Sequence, residues 1–163
     1  MSIANLQVVL ASRPAGKAAE SDFRFVEAPV PQPREGELLV RVDWLSLDPY
    51  MRGRMNEGKS YAARVELGEV MVGGTVGTVI ASRHGRFAEG DKVLGTLGWQ
   101  RYAVSDGKGL VKLPDPRLPE TVWLGAAGMP GITAWMGLTQ IGTPAPGETV
   151  VVGVNRWQQG EPS

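Results

Sequence analysis

The feature that most limits what this chain can fold into is how often it is interrupted. Glycine occurs 22 times and proline 12 times in 163 residues. Glycine weakens helix interiors and proline breaks them, so this density favours many turns and short strands over long helices. The stretch PVPQPREGE (29–37), with prolines at 29, 31 and 33, excludes a regular element outright. Between such interruptions lie β-branched and aromatic runs of strand length. LQVVLAS (6–12) and FRFVEAPV (23–30) are strand-like, and Phe23, Phe25 and Glu27 alternate as in a half-exposed strand. ELLVRVDWLSL (37–47) is the clearest strand, with Leu39, Arg41 and Asp43 alternating against Leu38, Val40, Val42 and Trp44. EVMVGGTVGTVIAS (69–82) carries glycines at 73, 74 and 77 inside a β-branched run, the pattern of a bulge or barrel bend. Short strands follow in FAEGDKVLG (87–95), GWQRYAVSD (98–106) and GLVKLP (109–114). DPYMRGRM (48–55) opens with a turn or helix-start signal, and GKSYAARVELG (58–68) is irregular. Two short helices are predicted in ETVWLGAAGMPGITAWMGLTQIG (120–142), the second over Ile132–Ile141. A buried strand is predicted at 148–152. The expected architecture is a mainly-β, barrel-like domain leading into an α/β unit.

Composition narrows the function classes. The length suits one domain with a real core rather than two. Seventeen basic residues balance seventeen acidic ones, which gives no electrostatic footprint for nucleic acid or a membrane surface. The absence of cysteine excludes disulfides and thiolate metal sites and fits a reducing compartment. No apolar run is long enough to span a bilayer, and the N-terminus lacks a basic leader, so a cytoplasmic location is expected.

Residues able to carry chemistry are sparse. His84, the single histidine, sits in SRHGRF and reads as a solvated loop residue. Asp43, Asp48, Glu66 and Glu69 form no carboxylate pair and read as solvated or capping acids. No clustered His and carboxylate set suggests a metal. Arg52, Arg54 and Lys59 fit either a phosphate-binding patch or a solvated turn, the turn being favoured. Trp99, Tyr102, Trp123 and Trp135 read as core or pocket wall. Gly73–Gly77 lacks the lysine and helix of a phosphate loop and reads as a barrel bend.

A series of motifs in fixed order adds more: LSLDPYMRGRM (45–55), GEVMVGGTVGTVIAS (68–82), GDKVLG (90–95), GWQRYAVSDG (98–107), LGAAGMPGITAW (124–135) and PAPGETVVV (144–152). Together they closely resemble the zinc-independent medium-chain dehydrogenase/reductases, in the NADPH-dependent alkenal/one reductase (prostaglandin reductase) branch. The resemblance implies a GroES-like, partly open barrel with short helices near the C-terminus, followed by the first strand of a Rossmann domain. It divides the chain into a catalytic domain (1–125), connecting helices with that strand (126–152), and a tail outside the family pattern (153–163). It implies hydride transfer from NADPH to the carbon–carbon double bond of α,β-unsaturated ketones or aldehydes, without metal. Tyr50 of DPYMR carries over as the catalytic group, and Pro49, Tyr50, Met129 and Thr133 as cofactor-side contacts. A phenol can donate a hydrogen bond to a carbonyl or to the enolate formed from it. Without the resemblance, Tyr50 packs and Thr133 bonds its own helix.

After Thr149-Val150-Val151-Val152 the family continues with a small-residue, glycine-rich turn that seats the cofactor pyrophosphate. Here the chain reads GVNRWQQGEPS instead. A one-base frame shift, a natural truncation and an appended tail each fit this departure. The chain alone is therefore expected to be inactive and to bind NADPH weakly. The alternative is a non-enzymatic binding module that pairs with another chain through its cleft, or with itself through the truncated strand.

Overall fold

Among the described residues seven strands build the fold: β1 (Ala4–Leu10), β2 (Phe23–Pro29), β3 (Leu38–Leu45), β4 (Thr75–Ser82), β5 (Lys92–Gly95), β6 (Tyr102–Ser105) and β7 (Val111–Lys112). The structure is a computed structural model and describes residues 4–57, 63–115 and 117–151. Strand β3 is an interior strand, and its first three residues, Leu38, Leu39 and Val40, are all buried. It pairs antiparallel with β4 on one side and β6 on the other, in a five-stranded sheet of order β6-β3-β4-β5-β7. β1 and β2 form a separate antiparallel ribbon. The other edge of β1 bonds loop backbone: Val8 N–H reaches Trp99 O at 2.8 Å, and Leu10 N–H reaches Glu69 O at 3.0 Å. Arg101 then links the two sheets, donating to Leu6 O and accepting from Val42 N–H. Buried Asn5 completes the seam by pairing with the backbone N–H and C=O of Tyr102, both at 2.9 Å. The result is the mainly-β, partly open barrel that the motif order implies.

Two apolar clusters fill it. Leu38, Val40, Val79, Phe87, Val93 and Leu110 form one. Leu10, Met51, Met55, Val65 and Met71 form the other, with Phe23 and Trp99, their rings stacked on each other at 5.4 Å, packed against it. Phe25, two residues along β2, stands 72% exposed, because the cover over β2 ends with Trp99.

The simple alternation expected along β3 does not hold. Its register with β4 slips between Val42 and Trp44, leaving Asp43 as the extra residue of a bulge. The bulge reverses the pleat. Trp44 becomes half exposed while Asp43 turns toward neighbouring strands. Beside the bulge, Gly77 lets β4 approach so closely that a Cβ there would sit 2.4 Å from Arg41 O.

α1 (Tyr50–Arg54) starts at Pro49, and its apolar side buries Met51. Neither reading of the arginines next to it describes their environment. Arg52 donates to Gly16 O and Pro14 O, and Arg54 to Ala63 O, so both guanidinium groups staple loops. Lys59 lies outside the described residues. His84 is more than a solvated loop residue: it is half buried, 5.2 Å from the Phe87 ring, and its Nδ1 accepts the Arg86 N–H.

Beyond β7 a connector carries a 3₁₀ turn (Glu120–Leu124) and α2 (Met129–Met136), which runs into a π-helical turn (Gly137–Gly142). The helix expected from Ile132 thus begins at Met129, since Pro130 in its first turn costs no hydrogen bond. Gly131 permits that start, because a Cβ there would lie 1.8 Å from Ala126 O. No residue of α2 is buried, and Trp135, expected in a core or pocket wall, is 61% exposed. The strand expected at 148–152 is absent over 148–151, where Val150 and Val151 are exposed. A parallel strand needs hydrogen-bonding neighbours, and none pairs with it among the described residues. Val152 and the 153–163 tail lie outside them.

Candidate active site

The end of β3, the β4–β5 edge and the connector enclose a cavity of about 440 Å³. The sequence after β3 turns at Ser46-Leu47-Asp48-Pro49 and presents Ser46, Asp48 and Tyr50 as one wall. Gly74, Leu94, Gly95 and Thr96 form the second wall, and Trp123, Leu124, Met129 and Pro130 the third. The lining is mostly apolar and, among the described residues, contains no lysine or arginine. It suits a flat, uncharged group and offers no cation to a phosphate.

The structure brings two of the four expected site residues together. Tyr50 and Met129 both line this cavity, and the Arg54 guanidinium lies 5.9 Å from the Tyr50 ring centroid. Pro49 instead lines a smaller cavity of about 300 Å³ behind α1, with Met51 and Trp99. Thr133 stands exposed a turn further along α2, outside the lining. Ser46 and Asp48 were missed as site residues, although both belong to the LSLDPY motif. Leu94, Thr96 and Leu124 gave no signal, because apolar residues in strand and turn read as core. Trp123 is the pocket wall the sequence suggests, and its indole N–H is buried without a hydrogen-bond partner. An unsatisfied buried donor costs about 1–3 kcal/mol, so something else must hold this wall in place.

A polar cluster lies beside the cavity. Asp43 is no solvated acid: its side chain is 17% exposed and accepts from Arg41 Nε at 2.8 Å, Lys92 Nζ at 3.2 Å and the Thr78 hydroxyl. Lys92 Nζ also contacts Glu120 Oε1 at 2.6 Å. Burial pushes the Asp43 carboxyl up, but hydrogen bonds from Arg41, Thr78 and Lys92 outweigh it and leave it below its ordinary value. Burial likewise lowers the Lys92 ammonium, and its bonds to Glu120 and Asp43 reverse the sign. A carboxyl whose folded value is depressed stabilises the fold above the ordinary carboxylate range and loses that contribution as pH falls through the folded value. Asp43→Asn is therefore expected to cost about 1–3 kcal/mol at pH 7. The gap to wild type should begin to shrink as pH falls below the ordinary carboxylate range, about pH 4, and close as it falls through the lower value of the folded carboxyl. Thermal melts of both proteins from pH 7 to 2.5 check this; a gap independent of pH refutes it.

Among the described residues no group of three or more His, Cys, Asp or Glu could hold a metal ion. No helix among the described residues is long and apolar enough to cross a membrane.

Residues 6–113 match the family model described as the N-terminal domain of oxidoreductase. The NADPH-dependent curcumin reductase of Escherichia coli (strain K12) is 53% identical over 150 residues, covering 91% of this chain and 43% of that protein. Prostaglandin reductase 1 of Rattus norvegicus is 38% identical over 140 residues, covering 84% and 40%. Among solved structures, CurA from Vibrio vulnificus in complex with NADPH superposes with a TM-score of 0.79 at 52% identity, covering 85% of this chain and 41% of that one. The chain spans about two fifths of the length of these relatives.

Proposed function

This chain belongs to the zinc-independent medium-chain NADPH reductases, and from that we propose that it is the substrate-side half of an enone reductase active site. The family-level reaction is NADPH-dependent reduction of the carbon–carbon double bond of α,β-unsaturated ketones or aldehydes. Residues 1–125 form the catalytic unit and 126–152 lead into the cofactor unit. The reading places the protein in the cytoplasm, with a small-molecule substrate and no nucleic-acid or membrane partner.

One observation carries the proposal: the cavity joins a tyrosine to apolar walls and, among the described residues, contains no cation. Those walls fit the nicotinamide end of the cofactor and an apolar enone, while the cofactor's phosphates require groups from elsewhere. Bound there, NADPH would supply hydride to the β-carbon. The chain's own part is to bind, orient and exclude water. Leu94, Trp123 and Leu124 sandwich an apolar substrate, and Met129 and Pro130 close the side toward α2. The Tyr50 phenol donates to the substrate oxygen and stabilises the negative charge that grows there. Pro49 shapes the start of α1, and Thr133, exposed on α2, is open to contact from a cofactor unit.

The test joins the remaining part of the Escherichia coli relative to this chain after residue 151 and follows NADPH oxidation with an enone. Tyr50→Phe is expected to lower kcat/KM roughly 5- to 150-fold, the equivalent of about 1–3 kcal/mol for one charge-assisted hydrogen bond. Unchanged kcat and KM would reduce Tyr50 to a packing residue.

A second reading draws support from α2. Ile132, Trp135, Met136 and Ile141 are all at least half exposed. A binding module would use this face, or the 149–152 segment, to pair with another chain or a second copy. Light scattering at increasing concentration separates the readings, since a monodisperse monomer excludes self-association.

A further inference from the structure

The connector forms a whole wall of the cavity, yet after Leu113, whose N–H bonds Lys92 O at 2.9 Å, its backbone makes no further hydrogen bond to the barrel among the described residues. Among the described residues, the hydrogen bonds of its main chain close on itself: Val122 N–H on Pro119 O, Gly125 N–H on Val122 O, Gly128 N–H on Gly125 O, and Ile132 N–H on Gly128 O. Among the described residues, the connector side chain that makes polar contacts with the strands is Glu120. Its Oε2 accepts the Trp44 indole N–H at 3.1 Å, from β3, and its Oε1 contacts Lys92 Nζ at 2.6 Å, from β5. Lys92 is held in turn by Asp43 of the β3 bulge.

The spacing on each element matters. Two residues after Trp44, Ser46 lines the cavity; two after Lys92, Leu94 lines it; three and four after Glu120, Trp123 and Leu124 line it. All three walls are thus joined at one point, a single strand step from the cavity. We infer that Glu120 is a positioning residue, clamping the connector to β3 and β5 and so setting the width of the cleft. The role in catalysis rests on reading this cavity as the enone site; the clamp itself does not.

An exposed ion pair alone is worth little. This one differs because the Glu120 side chain is 27% exposed, its two oxygens serve donors on two different strands, and the buried, unpartnered Trp123 N–H works against the wall it holds.

The test uses the full 163-residue chain labelled with 15N, as wild type, Glu120→Gln and Glu120→Ala. Hydrogen exchange is followed over residues 120–128, and trans-4-phenyl-3-buten-2-one is titrated as a probe enone. Glu120→Ala is expected to speed exchange in the connector about tenfold or more, the factor that corresponds to losing one charged hydrogen bond. It should also move the Ser46, Leu94 and Trp123 resonances and weaken probe binding, with Val40 and Val79 amides unmoved. Glu120→Gln keeps an acceptor for Trp44 and should fall between. Connector exchange that stays at the wild-type rate in both variants overturns the clamp. If the wild type ignores the probe while Glu120→Ala still loosens the connector, the clamp stands and the enone site falls.

Discussion

Titrated with NADPH, the 163-residue chain by itself should bind at least about a thousandfold more weakly than the same chain joined to a cofactor unit. Two or three charge-assisted hydrogen bonds to phosphate, at about 1.5–3 kcal/mol each, account for a factor of that size. The cavity lining supplies none of them among the described residues, where it contains no lysine or arginine. The basic groups nearest in sequence to Tyr50 are already spent, Arg52 and Arg54 bonding backbone carbonyls. Phosphate recognition in dinucleotide sites comes from backbone amides of a glycine-rich turn and the helix start that follows it. The segment after Val152 has no such pattern. Calorimetry on both proteins decides the matter. A low-micromolar dissociation constant for the chain alone would mean that the cofactor's charged end binds within residues 1–151.

Gly77→Ala should be the most damaging single-methyl change in the barrel, costing about 3 kcal/mol or more and lowering Tm by roughly 10 °C. The added Cβ would meet Arg41 O at 2.4 Å and Val40 Cγ1 at 2.6 Å. The first of these is backbone, so relief requires moving β3 against β4, and that ladder carries the bulge, the Asp43 cluster and the core residues Leu38, Val40 and Val79. Gly53→Ala is the matched control. Gly53 lies inside α1 with nothing within 4 Å of the added methyl. Alanine there should stabilise by about 0.5–1 kcal/mol, because it removes backbone freedom from the unfolded chain. Equal effects at the two positions would show that close approach is not why Gly77 is glycine.

Strand positions were legible because period-two runs bounded by glycine and proline have few alternatives. Leu38–Leu45, Thr75–Ser82 and Lys92–Gly95 lie where the pattern put them. The resemblance extended that reading to the family, which the 6–113 match then established. The site was legible in part. Tyr50 and Met129 meet at one cavity although 79 positions separate them, but Pro49 faces another cavity and Thr133 none. A motif fixes which residues occur together in sequence. It does not fix which side of a helix or turn each one faces.

What the sequence determined by itself, then, is local: where strands begin and end, where the chain turns, and that thiolate chemistry is excluded. Tertiary structure decided the rest, because each remaining feature depends on a contact between distant segments. The bulge at Asp43 exists because β3 and β4 differ by one residue across Val42–Trp44, a mismatch that neither strand shows alone. Arg52 and Arg54 became loop staples because the carbonyls of Pro14, Gly16 and Ala63 lie within their reach. The Thr149–Val152 run has the composition of a buried strand, yet Val151 is 86% exposed. Burial is a property of the pair and not of the strand, and no neighbour pairs with this segment among the described residues.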